Sequence, residues 1–291
     1  MKACEHGRTE IVKMLLNRGA DYNECDKNSN SPLMMACTNG RTLYDWRVPS
    51  VLKSQNYGYI VKMLLGRGTD YNECDKNSNS PVMMACTNGC TDSGKDYGYI
   101  VKMLLDRGAD YDKCNKDGQS PIMMACRQGQ TEIVKILLNK GVDCNICDWY
   151  GQLSVMNDYA NNYNLIIKMF LDRGADYNTY DRDGQSPIMM ACEHGHINIV
   201  KMFLDRGANY NNCNINGQLS GPPKESYNLN DKTRIMSNRR ADCNINENYG
   251  QSPVMIACKN GHTEIVKMLL DKGADCYICD WYGQLPAMKG Y

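Results

Sequence analysis

Gly118-Gln-Ser-Pro-Ile-Met-Met-Ala-Cys126, followed by Gly129-Gln-Thr-Glu-Ile-Val-Lys-Ile-Leu-Leu-Asn-Lys-Gly141, is the stretch that decides how this chain folds. It returns from Gly184 as GQSPIMMACEHGHINIVKMFLDRG and from Gly250 as GQSPVMIACKNGHTEIVKMLLDKG. The Gly-Gln pair itself stands at positions 118, 151, 184, 217, 250 and 283, a period of 33 residues. A fixed period of this length marks a stack of small units, none of which buries its apolar face alone. Such stacks expose a long surface and usually carry no reaction centre.

Within a unit the residues read as two short helices. Ser-Pro (Ser31-Pro32, Ser80-Pro81, Ser120-Pro121, Ser186-Pro187, Ser252-Pro253) gives a cap and a proline at the first helical position. Met-Met-Ala-Cys follows and ends at a turn glycine such as Gly129 or Gly195. The second helix has Ile133, Val134, Leu137 and Leu138 on one face and Glu132, Lys135 and Asn139 on the other. Thr131 is expected to cap it, Lys140 to sit at the negative end of its dipole, and Gly141 to stop it in a left-handed conformation. Both helices are shorter than the roughly 12–15 residues an isolated helix needs in water, so stacking must hold them. Between units runs Ala-Asp-Tyr-Asn and a polar stretch ending in glycine, which suits a turn or hairpin.

Gly-x-Ser-Pro-x-x-x-Ala-Cys, then Gly-His-Thr-Glu-Ile-Val-Lys-Met-Leu-Leu-Asp-x-Gly-Ala-Asp, closely resembles the ankyrin repeat. The asparagine- and tyrosine-rich style resembles the expanded ankyrin sets of large DNA viruses of amoebae or of intracellular bacteria. The resemblance implies an all-α solenoid of paired antiparallel helices with β-hairpin or turn fingers. Two departures are systematic. The family's Thr-Pro-Leu-His is Ser-Pro-x-Met here (Met34, Met83, Met123, Met189, Met255), and its Ala-Ala pair is Ala-Cys. With that histidine's hydrogen bonds gone, the turns are expected to be looser.

The unbroken register reads as one solenoid over 1–291. Residues 1–28 are a partial first repeat, with Met1-Lys2-Ala3-Cys4 aligned on Met34-Met35-Ala36-Cys37 and an exposed end. The repeats at 29–77 and 78–117 carry insertions between their helices. Ile133 follows Gly129 by four residues, whereas Ile60 follows Gly40 by 20 and Ile100 follows Gly89 by 11. Both insertions end in Tyr-Gly-Tyr. They are read as loops on one edge, either functional or tolerated because lengthening a loop costs little. Units 118–150, 184–216 and 250–282 are regular, and 283–291 is a stub.

Units 151–183 and 217–249 are degenerate. The first puts Asp158-Tyr159 where Ala-Cys belongs, and the second has Gly221-Pro222-Pro223 in its first helix and Arg240 for its terminal glycine. Residues 217–240 are expected to exchange amide hydrogens fastest.

Sixteen cysteines invite a zinc or disulfide reading that the register dissolves. Cys4, Cys37, Cys86, Cys126, Cys192 and Cys258 fill the small apolar slot after alanine. Cys25, Cys74, Cys114, Cys147, Cys213 and Cys279 form a finger column, and Cys144, Cys243 and Cys276 share a column with Tyr22, Tyr71, Tyr111, Tyr177 and Tyr210. Cys144-x-x-Cys147 is thus a coincidence of two columns, and neither metal nor cofactor is expected. Reduced thiols, no signal peptide and no long apolar run place the chain in the cytoplasm or nucleus, or in host cytosol if the source is viral or bacterial. Formal net charge is zero, which gives no reason to expect a nucleic-acid partner. Lysines 13, 62, 102, 135, 168, 201 and 267 read as a solvated ladder along the second helices.

His194-Gly-His196 lacks ligand-spaced partners, and no phosphate loop, nucleophile elbow or acid–base pair is present, so no catalysis is expected. The family resemblance implies a concave palm made of finger tips and the exposed ends of first helices. On this chain those positions include Lys116, Asp117, Trp149, Tyr150, Arg182, Trp281 and Tyr282 on fingers. Arg127, Gln128, Glu193, His194, Lys259 and Asn260 fall on helix ends. The two Trp-Tyr pairs are the natural anchors, unless they pack on the adjacent finger. The expected role is a monomeric, non-enzymatic scaffold binding another protein through the palm, away from nucleic acid and membrane. An adaptor delivering a client to a ubiquitin ligase would call for a further module such as an F-box-like segment, and the sequence reaches Tyr291 without one. A drifting gene copy without a partner is the third reading.

Overall fold

The computed structural model describes residues 1–38, 50–88, 95–145, 163–181, 183–213, 250–277 and 286. The chain divides into two compact units, Met1–Gly174 and Ala175–Tyr291, where the sequence register suggests one. The division falls in the unit carrying Asp158-Tyr159 in the methyl-sized slot. All regular structure among the described residues is helical.

The first unit contains α1 (Lys2–Glu5), α2 (Thr9–Asn17), α3 (Pro32–Thr38), α4 (Ser50–Gly66), α5 (Pro81–Asn88), α6 (Lys95–Asp106), α7 (Pro121–Arg127), α8 (Thr131–Asn139) and α9 (Tyr163–Leu171). First helices pack on first helices and second on second, repeat by repeat. Leu33, Ile60, Leu64, Ile100, Leu104, Ile133 and Leu137 are fully enclosed between them. On α2, Ile11 and Leu15 are 46% and 50% exposed, while their counterparts Ile133 and Leu137 on α8 are at 1% and 0%.

The second unit contains α10 (Pro187–Glu193), α11 (Ile197–Asp205), α12 (Pro253–Lys259) and α13 (Thr263–Asp271). Here α10 packs on α12 and α11 on α13, so the repeats at 184 and 250 are direct neighbours.

Hydrogen-bond spacing makes the same point. Tyr111 and Tyr177 each donate to a carbonyl 29 residues on, those of Lys140 and Arg206, whereas Tyr210 donates to the Lys272 carbonyl, 62 residues on, at 2.6 Å. The extra distance is one period. The sequence register counts 217–249 as a unit of the stack, but the contacts of the flanking repeats pass over it. Thr233-Arg234-Ile235-Met236-Ser237 lacks the apolar pair that regular units use for stacking. Residues 214–249, and with them the expected fast exchange of 217–240, lie outside the described residues.

The first helices α3, α5, α7, α10 and α12 begin on their prolines, and Ser120, Ser186 and Ser252 before them are extended (Ser120 at φ −91, ψ 165). Ser31 and Ser80 accept the N–H of Met34 and Met83 at 3.2 and 3.4 Å. In place of the lost histidine, another side chain bonds to the turn. Met123 and Met189, 2% and 0% exposed, turn their sulfurs back to accept the N–H of Ser120 and Ser186 at 3.5 and 3.4 Å. Methionine thus fills the reciprocal half of a capping box, with a weak acceptor in place of a carboxylate or amide.

The second helices depart from expectation at their start. Gln130 is the cap residue of α8 and makes no side-chain cap, and Thr131 is already helical, its hydroxyl facing the Gly129 carbonyl at 3.5 Å. The far end behaves as read: Gly141 has φ 93, and the Gly141 and Val142 N–H groups bond the Leu138 and Leu137 carbonyls. The insertions are not loops throughout. Ser50 onward already belongs to α4 and Lys95 onward to α6, so the second helix is extended backward through the inserted residues.

Each finger turn is organised by one side chain. Oδ1 of Asp75 accepts the N–H of Asn77 and Asn79 at 2.8 Å, and Asp26, Asn115 and Asp181 do the same on their own fingers. The turn needs a left-handed residue three positions on. Gly118 and Gly184 supply it at φ 75 and 69, but Ser29 and Ser78 are held there at φ 63 and 64. A Cβ in that region is strained by roughly 1–2 kcal/mol, partly offset by the extra unfolded freedom glycine brings. Ser29→Gly with Ser78→Gly is therefore expected to raise stability by about 1 kcal/mol, read as a higher urea midpoint at unchanged slope.

Candidate interaction surface

Three side-chain columns bind repeat to repeat and so fix where the exposed residues stand. Arg67 and Arg107 donate to the last-turn carbonyls of the preceding second helix, Leu16 at 3.1 Å and Leu65 at 2.7 Å. Lys140 and Lys272 instead pair with Asp106 and Asp205 at 3.0 and 3.5 Å, so Lys140 serves the neighbouring repeat rather than its own dipole. The tyrosine column, already described, donates the other way.

The third column is an aromatic slot at the start of the second helix. Tyr57 donates to the Glu5 carbonyl at 3.0 Å, and Nε2 of His262 lies 3.1 Å from the Glu193 carbonyl, which requires the tautomer protonated there. Each ring rests against a left-handed glycine. A Cβ at Gly7 would meet Tyr57 at 3.0 Å, and one at Gly195 would meet His262 at 2.7 Å. Tyr57 and Tyr97, read in sequence as the ends of insertions, occupy the position that His196 and His262 hold elsewhere.

The finger tips are joined through their backbones. The Lys76 N–H donates to the Asn28 carbonyl at 3.1 Å and the Lys116 N–H to that of Asn77 at 3.0 Å, while Asn115 reaches Asn79 Oδ1 at 3.0 Å. Lys27, Asn28, Lys76, Asn77, Lys116 and Asp117 are all exposed, so their backbones are fixed and their side chains face outward. Asp26, at the root of one tip, is held below the usual carboxylate range, chiefly by the Asn30 side-chain amide.

At the helix ends Arg127, Glu193, His194, Lys259 and Asn260 are exposed and Gln128 is half-buried. The packing of α10 on α12 brings Glu193-His194 and Lys259-Asn260 onto neighbouring helices. Trp149, Tyr150, Arg182, Trp281 and Tyr282 lie outside the described residues. The lysine column is exposed at all seven positions.

The cysteines behave as fillers. Cys37, Cys86, Cys126 and Cys192 are free and buried, with thiols pushed far up by burial. Cys25, on a finger, donates to Glu73 at 3.2 Å; burial first, and that acceptor second, push it up to about 11. A thiol so protonated is a poor nucleophile and metal ligand.

Family models described as ankyrin repeats match residues 1–45, 51–148, 170–220 and 237–287. The chain belongs to the ankyrin-repeat family. Among solved structures, the human ASB11 ankyrin repeat domain is similar at TM-score 0.64 and 18% identity, covering 90% of this chain and 92% of that one. That likeness speaks for the ankyrin fold alone. No curated protein matches the sequence. Ankyrin repeats in general are modules for binding other proteins. No described helix of this ankyrin chain is long and apolar enough to cross a membrane.

Proposed function

We propose that this ankyrin chain is a non-enzymatic scaffold that binds a partner protein through its finger tips and the exposed ends of its first helices. The supporting observation is the finger ladder. Backbone bonds from Lys76 to Asn28 and from Lys116 to Asn77 hold the tips in place, leaving exposed side chains with little backbone entropy to lose on binding. The buried free thiols suit a reducing cytosol or nucleus.

The test is affinity capture with mass spectrometry from candidate host lysates. Wild type runs beside two variants, one with Trp149, Tyr150, Trp281 and Tyr282 changed to alanine and one with Lys27, Lys76 and Lys116 changed to glutamate. A partner held by wild type and lost by a variant with unchanged circular dichroism is the expected result. Ligase subunits in the same eluate would favour the adaptor role. A partner retained by both folded variants would remove the finger tips from the reading.

A further inference from the structure

The outer face of the second helices changes character where the two insertions end. In three repeats that helix opens with Thr-Glu (Thr9-Glu10, Thr131-Glu132 and Thr263-Glu264), with the acid one turn before the column lysine, while α11 opens with the uncharged Ile197-Asn198. In α4 and α6 the pair is Gly58-Tyr59 and Gly98-Tyr99. The acid is gone, and Lys62 and Lys102 stand exposed. Tyr59 and Tyr99 are each 52% exposed, whereas Tyr57 and Tyr97, two residues earlier, are at 6% and 3%. Packing absorbs the first tyrosine of each Tyr-Gly-Tyr and leaves the second on the surface.

The glycine between them has a steric role. A Cβ at position 58 would touch the Tyr99 ring at 3.5 Å, so that ring lies across the preceding helix; Gly98 is covered in the same way by Ile136 and Glu132. Two rings and two lysines therefore form one stripe across α4 and α6. From Tyr57 to Arg67 there is no acidic residue, and from Tyr97 to Arg107 the only one is Asp106, already paired with Lys140.

On α4 and α6 themselves the stripe is basic, with Glu132 of α8 at its border, and that balance names the occupant. Packed helices stand about 8–10 Å apart, and an extended polyproline-II-like chain advances about 9 Å per three-residue turn, returning every third side chain to the same face. We propose that this stripe docks an extended acidic segment of a partner protein, with a carboxylate and an adjacent apolar side chain recurring every third residue. The carboxylates meet Lys62 and Lys102, and the apolar groups lie on Tyr59 and Tyr99. This surface is separate from the finger tips and does not depend on them.

The probe is a labelled peptide of repeated Glu-Leu-Ser, titrated with the full chain by fluorescence anisotropy at two salt concentrations. Weak, salt-sensitive binding is expected. Tyr59→Glu with Tyr99→Glu restores the residue that Glu10 and Glu132 already place at this position, so the fold is preserved, and binding should weaken by tenfold or more. Lys62→Gln with Lys102→Gln should weaken it similarly and flatten the salt dependence. The lysine-to-glutamate finger variant should leave it unchanged. The proposal fails if wild type ignores the peptide, if the Tyr59 and Tyr99 variant binds equally well, or if a repeated Lys-Leu-Ser peptide binds as tightly. It also fails if single-stranded oligouridine, and not the peptide, competes for the stripe, which would make this a nucleic-acid surface.

Discussion

Phe203→Ala is expected to lower the stability of the unit 175–291 by about 3–5 kcal/mol, more than any other truncation in it. The chain has two phenylalanines, Phe170 and Phe203, and both stand where other repeats have leucine (Leu64, Leu104, Leu137, Leu269). Phe203 is 1% exposed and its ring lies 6.3 Å from that of Tyr177, centroid to centroid. Tyr177 in turn donates to the Arg206 carbonyl, so the phenylalanine braces a bond that ties one repeat to the next. Alanine leaves a ring-sized void that the backbone of α11 cannot close without dragging Ala208 off the Phe203 carbonyl it bonds at 3.0 Å. A melt followed by circular dichroism should lose roughly 10–20 °C from the transition of that unit. Phe203→Leu, the column's ordinary residue, should lose under about 1.5 kcal/mol. Equal losses for the two variants would mean that the site collapses freely and is not braced.

The same residues show what could be read from sequence and what could not. The proline starts of α3, α5, α7, α10 and α12, the left-handed Gly141 and the buried Ala-Cys column all follow from local chemistry that repeats with the chain. Thr131 was a reasonable cap by residue type, but the helix begins one residue earlier than that reading needs, with Gln130 at the cap position. The methionine sulfurs were invisible for another reason: sulfur is rarely used as a cap, so Met123 looked only like a missing histidine. Adjacency in space was the least legible. A period reports distance along the chain, and it takes contacts such as Tyr210 to Lys272 and His262 to Glu193 to show that the repeats at 184 and 250 meet. Of the candidate palm, Lys116, Asp117, Arg127, Glu193, His194, Lys259 and Asn260 are exposed and Gln128 is half-buried, while Tyr59 and Tyr99 were seen only as the ends of insertions.

Ala125→Asp should be the most damaging single substitution in the first unit at neutral pH. Ala125 and Cys126 are both fully buried, with Ile122 and Met123 beside them at 0% and 2% exposed. A carboxylate there loses its water, and the backbone N–H groups around it are spent within α7 and its turn. The burden is several kcal/mol. Its pH dependence separates charge from bulk. Burial raises the folded-state pKa of the new carboxyl above its unfolded value near 4, so the folded state holds the proton more tightly. Stability of the variant is then best below about pH 4, where the group is neutral in both states. It falls by up to about 1.4 kcal/mol per unit as pH rises toward the folded-state pKa, then levels off. Ala125→Gly, which adds no charge, should lose about 1 kcal/mol at every pH. Denaturant melts of both variants between pH 4 and pH 7 decide it. A pH-independent loss for the aspartate variant would mean that the side chain escapes to water and that the slot is not closed. Asp158 stands in this same slot in the 151–183 unit, where the division between the two compact units falls. A steep pH dependence at position 125 would show why a carboxylate in that slot is incompatible with tight stacking.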